Sequence, residues 1–310
     1  MLIPIIKFYK LLKDPSNADD ELIFHWQEEK PIEVSTSKKK YKCINGKPIL
    51  IDFAKSIINK ELFDNPQENV SVIGKRSTFL KNIKNVFTGN ERNTEKGMNI
   101  FKKNLTKNST VLLIGAGTIG AGLKYFYNDQ SINLIACDIY PSKNIQFIAD
   151  CHDIPLKDSS VDGVIIQAVL EHVLDPNKVA AEIFRVLSSD GIVYAETPFL
   201  QESHEEPYDF TRFTELGHRW LFRNFKEIYR KANGAQGLTL YWSIRSFVRS
   251  IIPSKTISNL LSFPFIFFSL FDFLIPEKRK IKGANGLIFI GKKSSEEIKI
   301  SNIIKHYIGA

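Results

Sequence analysis

From residue 110 onward the chain alternates uninterrupted apolar runs with amphipathic stretches: "VLLIGA", "GAGLKYFY", "INLIACDIY", "QFIAD", "VDGVIIQAV" and "GIVYAETPF". Apolar runs of this length read as strands buried on both faces, and their alternation with helical stretches predicts a parallel sheet covered by helices on both sides. The stretch "PNKVAAEIFRVL" carries the helical period through Val179, Ile183, Val186 and Leu187, has Pro176 in its first turn and stops at "SSDG". "FKEIYRKANG" and "NGLIFIGKK" predict a sixth and a last strand. Ahead of this pattern, "YKCINGKPILIDF" predicts a hairpin, because Asn45-Gly46 tolerates the positive φ angles of a two-residue turn. The opening "MLIPIIKFYKLLKDP" predicts a short amphipathic helix. It lacks a basic start and a small-residue cleavage site, so it is not expected to be a secretory leader.

Composition narrows the class. A chain of 310 residues, 43% hydrophobic, buries one sizeable core and leaves material for an accessory unit. Its net charge of +8 is spread along the sequence rather than gathered in an arm, which gives a generally basic surface and no nucleic-acid signature. Three scattered cysteines, Cys43, Cys137 and Cys151, make neither a disulfide framework nor a zinc site, so a reduced, cytoplasmic protein without a metal site is expected.

The chemistry begins at "VLLIGAGTIG". Gly115, Gly117 and Gly120 follow a strand and open a helical stretch, which lets the backbone approach a nucleotide-like ligand closely. Asp138, at the end of the second strand, stands where an acid accepts hydrogen bonds from ribose hydroxyls. Those features fit an NAD enzyme as well as an S-adenosylmethionine (SAM) enzyme, and either acid, Asp138 or Asp150, also suits a turn or helix cap.

The third strand and the unit it opens separate the two cofactors. "ADCHDIPLKDSSVDGVIIQAVLEHV" sets Asp150 at the end of a third strand and Glu171-His172 after a fourth. With "EIFRVLSSDGIVYAETPF" and "YDFTRFTELGHRWLF", residues 108 to 200, extending to about 222, resemble the class I SAM-dependent methyltransferases of the type 11 (UbiE-like) group. The resemblance implies a Rossmann-like, doubly wound, mostly parallel seven-stranded sheet with an antiparallel last strand. It also implies SAM as cofactor, held by Gly115, Ala116, Gly117, Gly120, Asp138, Ile139, Asp150, Cys151, His152 and Gln167, with Ile154 and Leu156 walling the adenine ring. The family's acid two positions before the first glycine is here Leu113, so the methionine amino group must be met from elsewhere. An NAD-dependent oxidoreductase remains the first alternative, and a non-catalytic SAM-binding module at a membrane the second.

The segment after the fifth strand, "ETPFLQESHEEPYDFTRFTELGHRW", is dense in titratable and aromatic residues and lies where α/β enzymes bind substrate. Similar sequences repeat its Pro-Phe, His and Asp-Phe-x-Arg-Phe-Thr order. His204 is the expected general base, Asp209 orients it or acts alone, and Arg212 holds an anionic group of the acceptor. Two other readings of these residues stay open: Asp209 and Arg212 as an ion pair pinning the loop, and Glu171-His172 as a structural pair rather than part of the methyl pocket.

The last unusual stretch is 256 to 275, "TISNLLSFPFIFFSLFDFLI", followed by "EKRKIK". Asn259, Pro264 and Asp272 interrupt it, so it is expected to cap the acceptor pocket or to lie in a membrane interface, with Lys278, Arg279, Lys280 and Lys282 on anionic headgroups. The expected organisation is an accessory segment over 1–98, a methyltransferase domain over 99–293 with an apolar insertion at about 237–283, and a tail over 294–310. The expected reaction is O-methylation of a bulky, glycan or lipid-linked acceptor, on the inner face of a membrane.

Overall fold

The computed structural model describes residues 1–64 and 90–309; the remainder of the expected accessory segment, 65–89, lies outside the described residues. The central sheet runs β7 (Phe147–Ala149), β6 (Asn133–Asp138), β5 (Thr110–Ile114), β8 (Val161–Gln167), β9 (Leu187–Pro198), β11 (Gly286–Lys293) and β10 (Phe225–Asn233). The neighbours from β7 to β9 pair in parallel, and β11 runs antiparallel to both β9 and β10. This is the expected doubly wound arrangement, reversing direction between β5 and β8, where such sheets open a crevice for a ligand.

Period-two alternation divides the sheet between two cores. On β5, Leu112 and Ile114 face a cluster with Val179, Ile183 and Val186 of α3 (Pro176–Val186), while Val111 and Leu113 face Met98 and Phe101 of α1 (Asn90–Lys103). Leu113, which stands where the family carries an acid, is thus a core residue. Helix α3 starts as its sequence demands: Asp175 accepts a hydrogen bond from Lys178 N–H and Pro176 fills the first turn. After the glycine loop, only α2 (Lys124–Asn128) is helical, shorter than "GAGLKYFY" suggests. Gly122, at φ 72°, keeps the preceding residues in a turn.

Among the described residues the sheet has eleven strands rather than seven. Strands β1 (Ile23–Gln27), β2 (Lys30–Ser35), β3 (Lys40–Ile44) and β4 (Lys47–Leu50) form an antiparallel meander, and β4 then pairs in parallel with the short edge strand β7 through Ile49–Ile148 and Leu50–Ala149. The predicted Asn45-Gly46 turn joins β3 to β4, with φ of 50° and 74°. Covering the edge of β7 removes an unpaired ladder. The amino-terminal stretch forms 3₁₀ turns at Ile5–Lys7 and Tyr9–Leu11 instead of a continuous helix, and buries Ile5, Phe8 and Leu12 beneath the same face as α3. Helix α1 crosses the expected boundary at residues 98 and 99.

Between β10 and β11 the chain makes α5 (Gln236–Ile251), following the shorter α4 (Glu215–Leu221), then α6 (Lys255–Ser262) and a 3₁₀ run at Phe263–Leu274, before α7 (Glu277–Lys280). Leu238 and Tyr241 of α5 pack on Ile266 in a small core of their own. Asp272 accepts from the Gly237 and Leu238 N–H groups at the start of α5, and Asn259 accepts from Arg249. The polar interruptions of the apolar stretch therefore tie it to α5.

Candidate active site

The carboxyl ends of β5, β6, β7, β8 and β9 open into one cavity of about 1530 Å³. Its floor is the glycine loop. Gly115 has φ 77°, and a Cβ there would lie 2.2 Å from Val169 Cγ2; one on Gly120 would lie 2.3 Å from Gln167 Oε1. The loop therefore presents bare backbone to whatever the cavity holds.

Asp138 closes this cradle from the side. Gly117 N–H donates to its Oδ2 at 2.7 Å and Tyr140 N–H to its Oδ1 at 3.0 Å, which leaves a lone pair on each oxygen for a diol. Burial pushes its carboxyl up, against the opposing pull of those backbone donors. Asp150 works harder as a cap: it accepts from His152 N–H, His152 Nδ1 and Ser56 Oγ. Burial raises its carboxyl, but these hydrogen bonds outweigh burial and hold it below the ordinary carboxylate value. His152 is fully used, since its Nε2 accepts from Asp175 N–H at 3.1 Å. It clasps the third strand to the start of α3.

Ile139, Asp150, Cys151, His152 and Gln167 all line the cavity with the glycines. Ala116, Ile154 and Leu156 do not. Ala116 faces the core, while Ile154 and Leu156 pack beneath α3. Ile154 N–H donates to Glu182 Oε2, and Arg185 donates to the Ile154 and Leu156 carbonyls. The side chains of "EIFRV" thus clamp the backbone of "DIPL".

At the other end of the cavity His204 is in the wall, whereas Asp209 and Arg212 are not. Arg212 grips both Asp209 oxygens and also donates to the Glu202 and Thr211 carbonyls, so the pair pins the loop as a strut. Asp209 also accepts from His204 N–H at 2.8 Å, and so sets the His204 backbone rather than its ring. Glu171 and His172 join His204 in the wall, and the Nε2 atoms of both histidines lie 3.7 Å from Glu171 Oε1. The Glu171 carboxylate beside it lifts the His204 imidazole above its ordinary value, more than burial lowers it.

Two contributions escaped sequence reasoning. Ile44, Lys47, Ile57, Ile58 and Leu62 of the amino-terminal segment wall the cavity, although nothing in their residue types marks a site. Glu196, at the end of β9, gathers Tyr194 Oη (2.6 Å), Gln167 Nε2 (3.0 Å), Thr94 Oγ1 and Asn233 Nδ2 around a carboxylate that lines the cavity beside Gln167. The available signal was an acid at the carboxyl end of a central strand.

A family model described as a methyltransferase domain matches residues 112–195, the segment that carries the glycine loop, Asp138, Asp150 and Glu171. Residues 112–195 thus carry a methyltransferase domain. No curated protein matches the chain. Among solved structures, the chain is similar to the [4+2]-cyclase SpnF at 15% identity and a TM-score of 0.44, over 65% of this chain and 81% of that one. It is similar to phosphoethanolamine N-methyltransferase 2 of Haemonchus contortus in complex with SAM at 14% and 0.41, over 64% and 52%. It is also similar to a SAM-dependent methyltransferase from Methanosarcina mazei at 16% and 0.39, over 64% and 98%.

Proposed function

We propose that the methyltransferase methylates a hydroxyl of a bulky, glycan or lipid-linked acceptor at an anionic membrane surface. The observation that carries this reading is the cavity itself. At about 1530 Å³ it exceeds the ~300–1,000 Å³ of common ligand sites. It runs from the glycine cradle to a second polar corner at Glu171, His172 and His204, so it has room for an acceptor beside SAM. When bound, SAM supplies a methyl group on a sulfonium, ready for in-line displacement.

The residues divide the work along the cavity. Gly115, Gly117 and Gly120 admit the cofactor backbone-to-ligand, Asp138 receives the ribose hydroxyls through its free lone pairs, and Asp150 frames the adenine. His204 takes the acceptor's proton, and the Asp209–Arg212 strut holds the His204 backbone that carries it. The apolar stretch serves the surface rather than the pocket: none of its residues lines the cavity, and Phe267, Phe271, Phe273 and Leu274 are exposed, as are the Lys278, Arg279 and Lys282 that follow in sequence.

Two measurements test the reading. Calorimetry should show one SAM or S-adenosylhomocysteine per chain, and His204→Ala should lower turnover by about two to four powers of ten while leaving that binding intact. Mass spectrometry of lipid and metabolite extracts should reveal a species lighter by one methylene when the gene is removed; tight NAD binding without SAM binding would overturn the proposal.

A further inference from the structure

Among the described residues two clusters bring a histidine, a carboxylate and a third potential ligand together, and they differ in one respect. In Asp150, Cys151 and His152 every strong donor and acceptor is employed: the imidazole uses both nitrogens, the carboxylate accepts three hydrogen bonds, and burial holds the Cys151 thiol protonated. In Glu171, His172 and His204 the opposite holds. Glu171 is 0% exposed, and the donors that face it among the described residues, Nε2 of His172 and of His204, stand 3.7 Å from its Oε1, beyond direct hydrogen-bond reach. A buried carboxylate left without donors costs several kcal/mol, on the order of the desolvation of an ion, so its retention calls for a positive partner.

The two imidazoles are set up for that partner. His172 Nδ1 donates to the Tyr208 carbonyl at 2.7 Å, which leaves the Nε2 lone pair free. His204 Nδ1 lies 3.2 Å from the Glu202 carbonyl and 3.3 Å from Arg212 Nη2, so its Nε2 is likewise the nitrogen turned inward. The rings stand edge to face at 88°, and the ligand atoms of all three residues lie within 4.8 Å of one another. A backbone carbonyl behind each ring is the outer-shell arrangement that orients metal-ligating histidines. Closing these atoms onto one ion needs a contraction of about an ångström, since metal–nitrogen and metal–oxygen bonds near 2.0–2.2 Å set the donors roughly 3–3.5 Å apart.

We propose that Glu171, His172 and His204 form a binding site for a first-row divalent transition metal. Two imidazoles and one carboxylate make a donor set for zinc, iron, cobalt or manganese rather than magnesium or calcium. The three ligands leave open positions toward the cavity, where, if the proposed methylation is right, an oxygen of the acceptor binds the ion and is acidified by it, in place of proton transfer to His204. The loop strut of Asp209 and Arg212 then positions a ligand, and Glu205 and Glu206, which also line the cavity, add negative charge nearby.

The test uses the full chain freed of metal with a chelator and titrated with Co²⁺ alone, followed by its visible d–d bands and by calorimetry. One saturable Co²⁺ per chain is expected, with affinity lowered at least about 100-fold in Glu171→Gln, His172→Ala and His204→Ala. His152→Ala should leave Co²⁺ affinity unchanged. S-adenosylhomocysteine affinity and the melting temperature, measured on every variant, separate loss of the metal site from loss of the fold. They also separate the metal inference from the methyltransferase reading, because cofactor binding without Co²⁺ binding sinks only the former. Absence of saturable binding to the folded parent overturns the site, as does binding that survives all three substitutions or is lost in His152→Ala.

Discussion

Gly115 and Asp138 carry the sharpest consequences of single atoms. At φ 77°, with Val169 Cγ2 2.2 Å from where a Cβ would stand, Gly115→Ala meets both backbone strain and a clash. The variant should lose about 1–3 kcal/mol of stability by chemical denaturation. Adding Val169→Ala should restore only the part due to the clash; full restoration would show that the left-handed backbone costs nothing there. Asp138 differs, because its lone pairs toward the cavity are free while two backbone N–H groups hold it still. Asp138→Ala should weaken SAM binding by roughly 1.5–3 kcal/mol in calorimetry, the loss of a charge-assisted pair of hydrogen bonds. A folded variant with unchanged affinity would place the ribose elsewhere.

Helix α4 illustrates what an element hides from a sequence reader. His218 is enclosed by Phe213, Phe222 and Phe289, neither ring nitrogen has a hydrogen-bond partner, and Arg219 and Arg230 add positive charge nearby. Burial first, then those two guanidinium groups, depress its imidazole from 6.5 to about 3. A base with a lowered folded value binds fewer protons folded than unfolded. Its contribution is therefore intact above pH 6.5 and lost as pH falls, by up to about 1.4 kcal/mol per pH unit. Urea denaturation at pH 7, 6 and 5 should show the parent losing stability faster than His218→Phe; parallel curves would mean that His218 titrates normally.

Other elements were legible wherever their signals are local. Long apolar runs and their alternation revealed the parallel strands, and Pro176 with the period through Val179, Ile183, Val186 and Leu187 announced α3. The β4–β7 pairing was not legible: it joins residues about a hundred positions apart through an edge strand of three residues, and nothing in either stretch names the other. The glycine loop and the strand-end acids that line the cavity were visible because their residue types follow from backbone geometry. Asp209 and Arg212 were harder to place, since a strut and a substrate clamp use the same residue types; only their distance from the cavity wall tells them apart.

The whole molecule has one face that its interior does not account for. Lys255–Leu274 is helical, has a mean hydropathy of 1.7 and is long and apolar enough to cross a membrane by length and composition, yet only 22% of it is buried. Asp272 and Asn259 bind it to α5, so a lying orientation keeps those hydrogen bonds, whereas spanning would carry both polar groups into hydrocarbon. Leu260, Phe273 and Leu274 are exposed, as are Phe247 and Ile251 of α5 and the Lys278, Arg279 and Lys282 that follow in sequence. On an anionic bilayer, apolar insertion supplies most of the attraction and each nearby cation adds about 1 kcal/mol, so binding should weaken with salt without vanishing. The protein should pellet with vesicles containing phosphatidylserine, less with purely zwitterionic ones. Phe267→Asp combined with Phe271→Asp should release it while leaving S-adenosylhomocysteine affinity unchanged, because neither phenylalanine lines the cavity. Parent protein that stays in the supernatant with anionic vesicles at low salt would remove the membrane from the proposed function, and with it the case for a lipid-linked acceptor.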